Sequence, residues 1–543
     1  MKPETAAFAL AAFFLVVLNG AFWKRFFAVV APASAYDWMF VGAMGAVLFL
    51  LLALLFGALN GRYIFKPVAI ALILTSASAA YYMREFGIVI DHDMVTNVFQ
   101  TDRGEAADLI TLKFVMWMLV LGVLPSLIVW RTRLTPRPLA QELRFKAVSG
   151  AAIVAVAGVL VFPFLMNVTS VFREHNILKH EIVPFNFLSA VSKSTRIHMQ
   201  AKATTVVRPF GRDAAKGQSW AARQEKSLTV LVVGETARGK SFSLNGYNRP
   251  TNTRLAEVPG IISMTNAMSC GTATAQSLPC MFSGVGRERS HTMIANEQEG
   301  LLDVLQRAGL VVWWRDNQSG CKGVCSRIPN ENIMPPEPKK FYELAVSFDD
   351  KLVQNIDEWI DKIPRGGVLV LHMMGSHGPA YYKRYPREHA RFTPDCQETQ
   401  FSRCSREALV NAYENTIAYT DHVLRLVVDK LAERDAQGWA TSMIYVSDHG
   451  ESVGENGIYL HGLPYAIAPD EQKRIPWIMW FSPKYQASFG VSGECLQRRR
   501  AEPISHDHYY HSVLGLLDIK TSTYDANLDF FGSCRVKSVT QKG

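Results

Sequence analysis

The sequence predicts an α-helical membrane domain of five transmembrane helices, followed by an exported domain that is an α/β sandwich. Apolar residues form long runs between residues 6 and 168, and from about residue 226 short apolar segments alternate with amphipathic helices. All eight cysteines lie in the second region. A chain of 543 residues is too long for one hydrophobic core. We therefore expect a transmembrane domain over 1–168, a juxtamembrane linker over 169–225 and a periplasmic domain over 226–543.

Five apolar segments have the length of a membrane span, which is about 20 residues for a hydrocarbon core of about 30 Å. The third segment is diluted by Thr75, Ser76 and Ser78. No small-residue cleavage site follows the first segment and four more segments do, so we interpret it as a span rather than a signal peptide. The predicted spans are 6–23, 38–59, 67–83, 113–130 and 147–168.

The charges of the loops orient these spans. The loop after the fourth span is basic, with Glu142 as its one acid, whereas acids outnumber arginines between the third and fourth spans. Basic loops stay in the cytoplasm, so everything after residue 168 is expected outside. Lys24 and Arg25 run against this rule. The net charge of +9 fits basic inner loops, and it equally fits a domain that rests on an anionic lipid surface.

The cysteines give independent support for an exported second domain. Three pairs are close in sequence and leave one remaining pair, and small loops closed by neighbouring cysteines are typical of an oxidising compartment. The sequence lacks the two CxxC units of a zinc ribbon. We therefore predict four disulfides, Cys270–Cys280, Cys321–Cys325, Cys396–Cys404 and Cys495–Cys534.

The exported region alternates short apolar segments with helices, which is typical of a largely parallel sheet covered on both faces. A helix is expected near 350–363, and the clearest one runs over about 405–434, where apolar residues recur at steps of three and four. Such sheets bind ligands at the carboxyl ends of their strands. The predicted strands are Leu228–Gly234, Leu310–Trp314, Val368–Leu371 and Met443–Val446.

Ionisable residues follow each of these strands at the same end. Glu235 follows the first strand, Asp448 and His449 follow the last, and His377 comes shortly after the third. Two carboxylates and an imidazole suit a divalent cation; composition alone permits zinc, manganese, magnesium or calcium. Because three protein ligands leave a position open, a catalytic metal there can activate a nucleophile.

A candidate nucleophile lies in the small-residue turn 269–275, which the predicted Cys270–Cys280 bridge fastens. Such a turn can bring a hydroxyl and backbone N–H groups close to a phosphate. An ordinary Ser/Thr-rich loop is the competing interpretation, and we would prefer it if Glu235 and Asp448 were absent. Thr272 and Thr274 are two residues apart, and spacing alone does not separate them.

Five long segments of the chain resemble one enzyme family. They are GETARGKSFSLNGYNRPT (234–251), SCGTATAQSLPCMFS (269–283), WWRDNQSGCKGVC (313–325), LHMMGSHGPAYYKRYP (371–386) and SDHGESVGENGIYLHG (447–462). The sequence is similar to lipid A phosphoethanolamine transferases, a family that includes the enzymes of transferable colistin resistance. The resemblance covers nearly the whole chain and implies that the exported domain has the alkaline phosphatase/sulfatase fold.

The resemblance also implies roles for individual residues. It makes Thr274 the nucleophile, and it assigns at least one Zn²⁺ to Glu235, Thr274, Asp448 and His449. His377 and His461 match residues that hold the incoming phosphate, or a second metal, and that transfer protons. Contacts to the substrate phosphate are expected from Ser319 and Lys322, and contacts to the donor-lipid head group from Asn97, Thr101 and Glu105, which share one face at helical spacing.

The activity that the resemblance implies is transfer of phosphoethanolamine from phosphatidylethanolamine to a phosphate of lipid A through a covalent phospho-threonine. This transfer lowers the negative charge of the outer membrane and gives resistance to cationic peptides such as polymyxin and colistin. The expected location is the Gram-negative inner membrane, with several spans and the catalytic domain in the periplasm. A monomer without a nucleic-acid partner is expected.

Other interpretations change the acceptor or the class of protein. The acceptor can be core oligosaccharide or periplasmic glucan, or it can be water, as in a periplasmic phosphodiesterase or a sulfatase. Sulfatases need an arginine where 277–281 ends in Met281. A glycerol-phosphate polymerase of the lipoteichoic acid synthase kind shares the five spans but would not explain eight cysteines. A membrane receptor with a degenerate enzyme domain would not explain the complete set of predicted ligands.

Overall fold

The computed structural model describes most of the chain as two compact units. One unit comprises Met1–Val95 with Ile110–Lys193, and the other comprises Ser194–Gly543 with Thr96–Leu109. The domain boundaries expected from the sequence stay a prediction. The described residues are 1–59, 61, 63–90, 94–95, 98, 107, 109–135, 137–203, 206–318, 320–334, 347–399 and 401–535.

The first unit is helical. Four of its described helical stretches are long and apolar enough to cross a membrane, and a bent pair at the N-terminus can form a fifth span. The π-helical segment Phe14–Leu18 extends α1, and Met118–Val123 joins α5 to α6. The helices are α1 (Pro3–Phe13), α2 (Gly20–Val30), α3 (Ala35–Ala58), α4 (Phe65–Phe86), α5 (Leu112–Trp117), α6 (Leu124–Arg131), α7 (Leu139–Val161), α8 (Leu165–Glu174) and α9 (Phe185–Ala203). The residues of α9 from Ser194 onwards belong to the second unit.

The first apolar segment, predicted as a span over 6–23, lies in a bent helix pair, because the chain bends by 63° between α1 and α2. The buried amide of Asn19 stabilises the bend. It donates to the carbonyls of Phe14 and Val183, both at 2.9 Å, and accepts from the Val183 N–H at 2.9 Å. The Trp23 indole donates to the Leu15 carbonyl at 2.8 Å. These side chains therefore satisfy backbone groups that a regular helix would pair internally.

A buried ion pair in the same unit involves one of the cations that run against the positive-inside rule. Arg25 Nε donates to Glu181 Oε1 at 2.7 Å, and the Glu181 side chain is 3% exposed. Burial raises the pKa of Glu181, while the charge of Arg25 opposes this rise. Because Glu181 neutralises Arg25, this arginine adds little to the charge that orients the spans.

The second unit contains twelve strands and eleven α-helices within its described part. The strands are β1 (Ala215–Lys216), β2 (Ser227–Gly234), β3 (Ile262–Met268), β4 (Val311–Asp316), β5 (Asn330–Asn332), β6 (Gly366–His372), β7 (Ala440–Ser447), β8 (Ser452–Val453), β9 (Tyr459–Leu460), β10 (Arg474–Phe481), β11 (Ile504–Ser505) and β12 (Ile519–Lys520). The helices are α10 (Ser219–Ala222), α11 (Thr253–Ala256), α12 (Thr274–Ser283), α13 (Ile294–Glu297), α14 (Leu301–Arg307), α15 (Asp357–Ile360), α16 (Arg406–Ala436), α17 (Asp470–Lys473), α18 (Pro483–Phe489), α19 (Gly493–Arg498) and α20 (His506–Leu516).

Eight strands form one sheet in the order β11-β3-β10-β7-β2-β6-β4-β5. All neighbours in it are parallel except that β10 is antiparallel to β3 and β7. The prediction of an α/β domain with a largely parallel sheet is confirmed. Strand β10 is antiparallel because the segment 448–473 leaves β7 at its carboxyl end and enters the sheet again at that same end. All residues of β2, β6 and β7 are buried.

The long helix predicted over 405–434 is present as α16, but the helix expected near 350–363 is not continuous. The segment consists of a 3₁₀ turn, Asp349–Leu352, and the short helix α15. Between them Asn355 has a φ of 58°, which ends regular α-helix. The carboxylate of Asp349 accepts the N–H groups of Met374 and Gly375, both at 2.8 Å, so tertiary contacts override the helical pattern here.

The structure contains four disulfides in the pairs that the sequence predicts. All eight cysteines are used. Three bridges close loops of ten residues or fewer, whereas the fourth joins cysteines 39 residues apart and fastens the C-terminal segment. The bridged pairs are Cys270–Cys280, Cys321–Cys325, Cys396–Cys404 and Cys495–Cys534.

Candidate active site

Two neighbouring parallel strands deliver three ionisable side chains to one point. Gly234 at the end of β2 is in register with Ser447 at the end of β7. Glu235, Asp448 and His449 directly follow these residues, and each offers a ligand atom within 4.8 Å of the others. All three are fully buried. The register of β2 and β7 thus brings together the three candidate metal ligands, which follow strands that are far apart in sequence.

Asp448 is held in place through one carboxylate oxygen. Its Oδ1 accepts the backbone N–H groups of Thr236 at 3.1 Å and His449 at 2.7 Å. The other oxygen, Oδ2, is buried without a hydrogen-bond partner and lies 3.4 Å from His449 Nε2. Burial and the neighbouring charge of Glu235 raise the pKa of Asp448 to about 6. A buried carboxylate oxygen without a donor fits a bound cation.

Glu235 is positioned by its backbone as well as by its side chain. The Thr236 hydroxyl donates to Glu235 Oε1 at 2.7 Å, and the Ser376 N–H donates to the Glu235 carbonyl at 2.9 Å. Gly375 has a φ of 53°, and a Cβ at this position would lie 2.6 Å from the Glu235 carbonyl oxygen. The loop after β6 therefore packs directly against Glu235, which only glycine permits.

His449 presents Nε2 to the centre of the site. Its Nδ1 lies 2.9 Å from the Gly450 carbonyl, to which it donates, so that the lone pair is on Nε2. Nε2 is 3.4 Å from Glu235 Oε1. Burial opposes protonation, but the charges of Asp448 and Glu235 outweigh it and raise the pKa of His449 to about 9. Either a proton or a metal ion on this imidazole would balance the two carboxylates.

The structure separates the two candidate threonines. Thr274 is the first residue of α12, and its Oγ1 lies 3.0 and 3.2 Å from the oxygens of Glu235 and 3.4 Å from His449 Nε2. The Thr272 hydroxyl instead donates to the Leu463 carbonyl at 2.5 Å. Thr274 therefore faces the ligand cluster at a helix N-terminus, where backbone N–H groups favour a phosphate. The turn expected over 269–275 gives way to helix at its end.

A buried histidine anchors the segment that carries Thr274. His506 Nδ1 accepts the Cys270 N–H at 3.0 Å, so its Nε2 carries the proton and donates to the Ser447 carbonyl at 3.0 Å. His506 is fully buried, and burial lowers its pKa to about 3. The neutral imidazole therefore joins the nucleophile segment to the end of β7.

His377 and His461 lie beside the ligand cluster. The His461 ring is 4.4 Å from that of His449 and 5.6 Å from that of His377, measured between centroids. His461 Nδ1 is 2.9 Å from Glu451 Oε2, and the Tyr381 hydroxyl donates to Glu451 Oε1 at 2.6 Å. Burial raises the pKa of Glu451 to about 8. The structure therefore brings both predicted histidines to the site.

Glu451 and His372 are two residues of the site for which the sequence predicted no role. Glu451 follows Asp448 by three residues in the segment 447–462, so its position near the site could have been predicted from the sequence. His372 ends β6, and its Nδ1 lies 3.1 Å from Asp316 Oδ1 at the end of β4. His372 and Asp316 both end strands, and their pairing depends on the order of β4 and β6 in the sheet. Glu451 orients His461, and Asp316 orients His372.

The remaining predicted contacts are less defined. Lys322 is half-buried, has a φ of 49° and lies between the bridged Cys321 and Cys325. Its contact with a substrate phosphate stays a prediction. Ser319 and the predicted head-group residues lie outside the described residues; the latter are Asn97, Thr101 and Glu105.

Two family models match the chain. Residues 227–519 match the sulfatase model, and residues 48–199 match the model described as phosphoethanolamine transferase EptA/EptB. The phosphoethanolamine transferase EptA of Escherichia coli K12 is 38% identical over 531 residues, which cover 97% of this chain and 96% of that protein. The chain belongs to the phosphoethanolamine transferase family. It is therefore an enzyme, and its second unit has the alkaline phosphatase/sulfatase fold.

Solved structures agree with this assignment. The integral membrane lipooligosaccharide phosphoethanolamine transferase A from Neisseria meningitidis is 36% identical, covers 99% of both chains and has a TM-score of 0.92. The C-terminal periplasmic domain of EptC from Campylobacter jejuni is 39% identical, has a TM-score of 0.52 and covers 60% of this chain and 97% of that one. This transferase is accordingly a multi-span inner-membrane protein with a periplasmic catalytic domain, as the loop charges and cysteines predicted.

Proposed function

We propose that this transferase moves phosphoethanolamine from phosphatidylethanolamine to a phosphate of lipid A through a covalent intermediate on Thr274. The position of the Thr274 hydroxyl, 3.0 Å from Glu235 and 3.4 Å from His449, carries the proposal. The group to be transferred occurs in the membrane as the head group of phosphatidylethanolamine. The relative from Neisseria is named for lipooligosaccharide, and this supports a lipid A acceptor.

The ligand cluster fits a divalent cation, and we propose Zn²⁺. Two carboxylates and one imidazole match the three protein ligands of a catalytic zinc site, and Thr274 Oγ1 is placed to be the fourth ligand. The unpartnered Oδ2 of Asp448 supports the fit. When bound, the ion supplies Lewis acidity, which lowers the pKa of a coordinated hydroxyl and stabilises negative charge on phosphoryl oxygens.

The first displacement uses groups of this chain to orient and deprotonate Thr274. Glu235 accepts the Thr274 hydroxyl in a hydrogen bond, which directs the oxygen lone pair towards the incoming phosphorus. The Thr274 oxygen forms a bond to phosphorus while the bond to the diacylglycerol oxygen breaks, and diacylglycerol leaves with a proton. The N-terminus of α12 and Lys322 would stabilise charge on the phosphoryl oxygens.

The second displacement returns Thr274 to its free form. A phosphate oxygen of lipid A forms the new bond to phosphorus, and the bond to Thr274 breaks. Proton transfer in this step is assigned to His461, whose Nδ1 is held by Glu451, and to His377, whose Nδ1 donates to the Gly378 carbonyl at 2.8 Å. Two displacements at one residue predict ping-pong kinetics.

The proposed product would lower the negative charge of the outer membrane and so reduce the binding of cationic peptides. Phosphoethanolamine adds an ammonium group to each modified phosphate, so the outer surface carries less net negative charge. Cationic peptides such as polymyxin and colistin would then bind it less tightly.

Mass spectrometry of lipid A from cells with and without this protein tests the acceptor. We expect a phosphoethanolamine adduct on lipid A only when the protein is present. An adduct confined to a core sugar or to periplasmic glucan would instead assign a different acceptor, and release of free phosphoethanolamine alone would indicate a phosphodiesterase. Thr274→Ala serves as the matched control, because it should remove the adduct while the protein stays folded and inserted.

A further inference from the structure

An aromatic ring flanked by two cations lies near the active site. The guanidinium carbon of Arg287 is 4.5 Å from the centroid of the half-buried Tyr465 ring, and Lys473 Nζ is 5.6 Å from it. Both distances are within the range of cation–π interactions, which extends to about 6 Å. Arg287 and Lys473 come from segments far apart in sequence, so the fold assembles this cluster.

Backbone hydrogen bonds tie the cluster to the nucleophile segment. The Gly462 N–H donates to the Thr272 carbonyl at 2.8 Å, and the Ser269 N–H donates to the Lys473 carbonyl at 2.8 Å. Tyr465 follows His461 by four residues, and a chain of this length spans at most about 14 Å. The cluster therefore lies within the reach of one large substrate that also occupies the site at Thr274.

The guanidinium of Arg287 pairs with no acidic side chain among the described residues. Its guanidinium makes no ion pair and no hydrogen bond within that part of the chain; only its backbone N–H donates to Asp507, at 2.7 Å. Lys473 is 3.9 Å from Asp470, whose carboxylate bonds Arg474 more closely at 2.8 Å. The edge of the exposed Arg287 guanidinium is thus available for an anion, and the Tyr465 ring fixes its orientation.

We propose that Arg287, Lys473 and Tyr465 form an acceptor subsite that binds a second phosphate of a doubly phosphorylated glycolipid while Thr274 modifies the first. The guanidinium fork matches phosphate oxygens, and the ammonium adds a second positive charge. This proposal rests on the proposed function, since it assumes that a phosphorylated lipid A is the acceptor.

The test separates the two halves of the reaction in the full-length protein. Without acceptor, release of diacylglycerol from phosphatidylethanolamine reports the donor half. With acceptor, steady-state transfer to bisphosphorylated and to monophosphorylated lipid A reports the second half. We expect Arg287→Ala and Lys473→Ala to release diacylglycerol at the wild-type rate. Each should raise the KM for bisphosphorylated lipid A by about tenfold, the effect of losing one charge-assisted contact.

The two acceptors provide an internal comparison. Wild type should bind monophosphorylated lipid A about tenfold less well, whereas Arg287→Ala should discriminate little between the two acceptors. Arg287→Lys should recover part of the lost affinity. Arg425→Ala is the matched control: it removes an arginine that α16 already pairs with Asp429 at 2.7 Å, and it should leave every parameter unchanged.

Three results would overturn the proposal of an acceptor subsite. An unchanged KM in Arg287→Ala would exclude an acceptor contact. Slower diacylglycerol release would assign the cluster to the donor phosphate instead. An equal rise in KM for both acceptors would show a nonspecific effect of charge. If wild type transfers nothing to lipid A, the proposed function itself fails, and the subsite with it; this outcome is distinct from the other three.

Discussion

Acidification should loosen the segment that carries Thr274, because His506 is buried as a neutral imidazole. Burial lowers the pKa of His506 from 6.5 to about 3. Between pH 6.5 and pH 3, this histidine therefore binds a proton more readily in the unfolded chain than in the folded chain. The folded state is therefore favoured above pH 6.5 and loses stability as the pH falls towards 3. Between pH 7 and pH 5 the linkage amounts to about 2 kcal/mol.

The hydrogen bonds of His506 also predict that acidification lowers the stability of the fold. Protonated His506 would place a second N–H against the Cys270 N–H, which is now donated to Nδ1 at 3.0 Å. In a domain of this size about 2 kcal/mol corresponds to a fall in Tm of about 3 °C. Thermal unfolding of the full-length protein in detergent, measured at pH 7 and pH 5, gives the wild-type difference.

Variants isolate the contribution of this one histidine. His506→Phe should be less stable at pH 7, since it leaves the Cys270 N–H and the Ser447 carbonyl unpaired, but it should lose about 3 °C less than wild type on acidification. His291→Gln, which removes a partly exposed histidine, should keep the wild-type difference. The same pH dependence in His506→Phe and in wild type would show that His506 is not the source of the acid sensitivity.

Three further predictions follow from the packing of the site. Thr272→Val should retain transfer and lose about 1 kcal/mol of stability, because its hydroxyl bonds the Leu463 carbonyl and not the ligand cluster; loss of transfer equal to that of Thr274→Ala would reopen the choice of nucleophile. Gly375→Ala should displace Glu235 and weaken metal binding, measured by titration calorimetry; unchanged affinity would contradict the contact. Replacing both Cys495 and Cys534 with serine should cost about 4 kcal/mol of unfolding free energy, and an unchanged denaturation midpoint would exclude this role.

The ligand cluster was predictable because parallel strands place their carboxyl ends along one edge. Glu235, Asp448 and His449 each follow an apolar strand directly, so the sequence located them without knowledge of the strand order. The order itself was needed to find the partner of His372, which is Asp316 on the neighbouring strand β4. The antiparallel strand β10 likewise depends on where the segment 448–473 re-enters the sheet.

Features that depend on contacts between residues far apart in sequence could not be predicted from local sequence patterns. The bend at Asn19 is stabilised by Val183, 164 residues away, and nothing in the apolar run over 6–23 indicates it. The helix expected near 350–363 is interrupted because Asp349 bonds backbone groups of the loop after β6. Spacing left Thr272 and Thr274 equivalent, and the structure distinguishes them by the partners of their hydroxyls.

Peptide mass spectrometry can detect the proposed covalent intermediate on Thr274 itself. The full-length protein is incubated with phosphatidylethanolamine in the absence of acceptor, digested and analysed for modified threonine. We expect one phosphoethanolamine group on Thr274 that disappears when lipid A is added. Transfer to lipid A with Thr274 unmodified throughout, or with the group on Thr272, would contradict it.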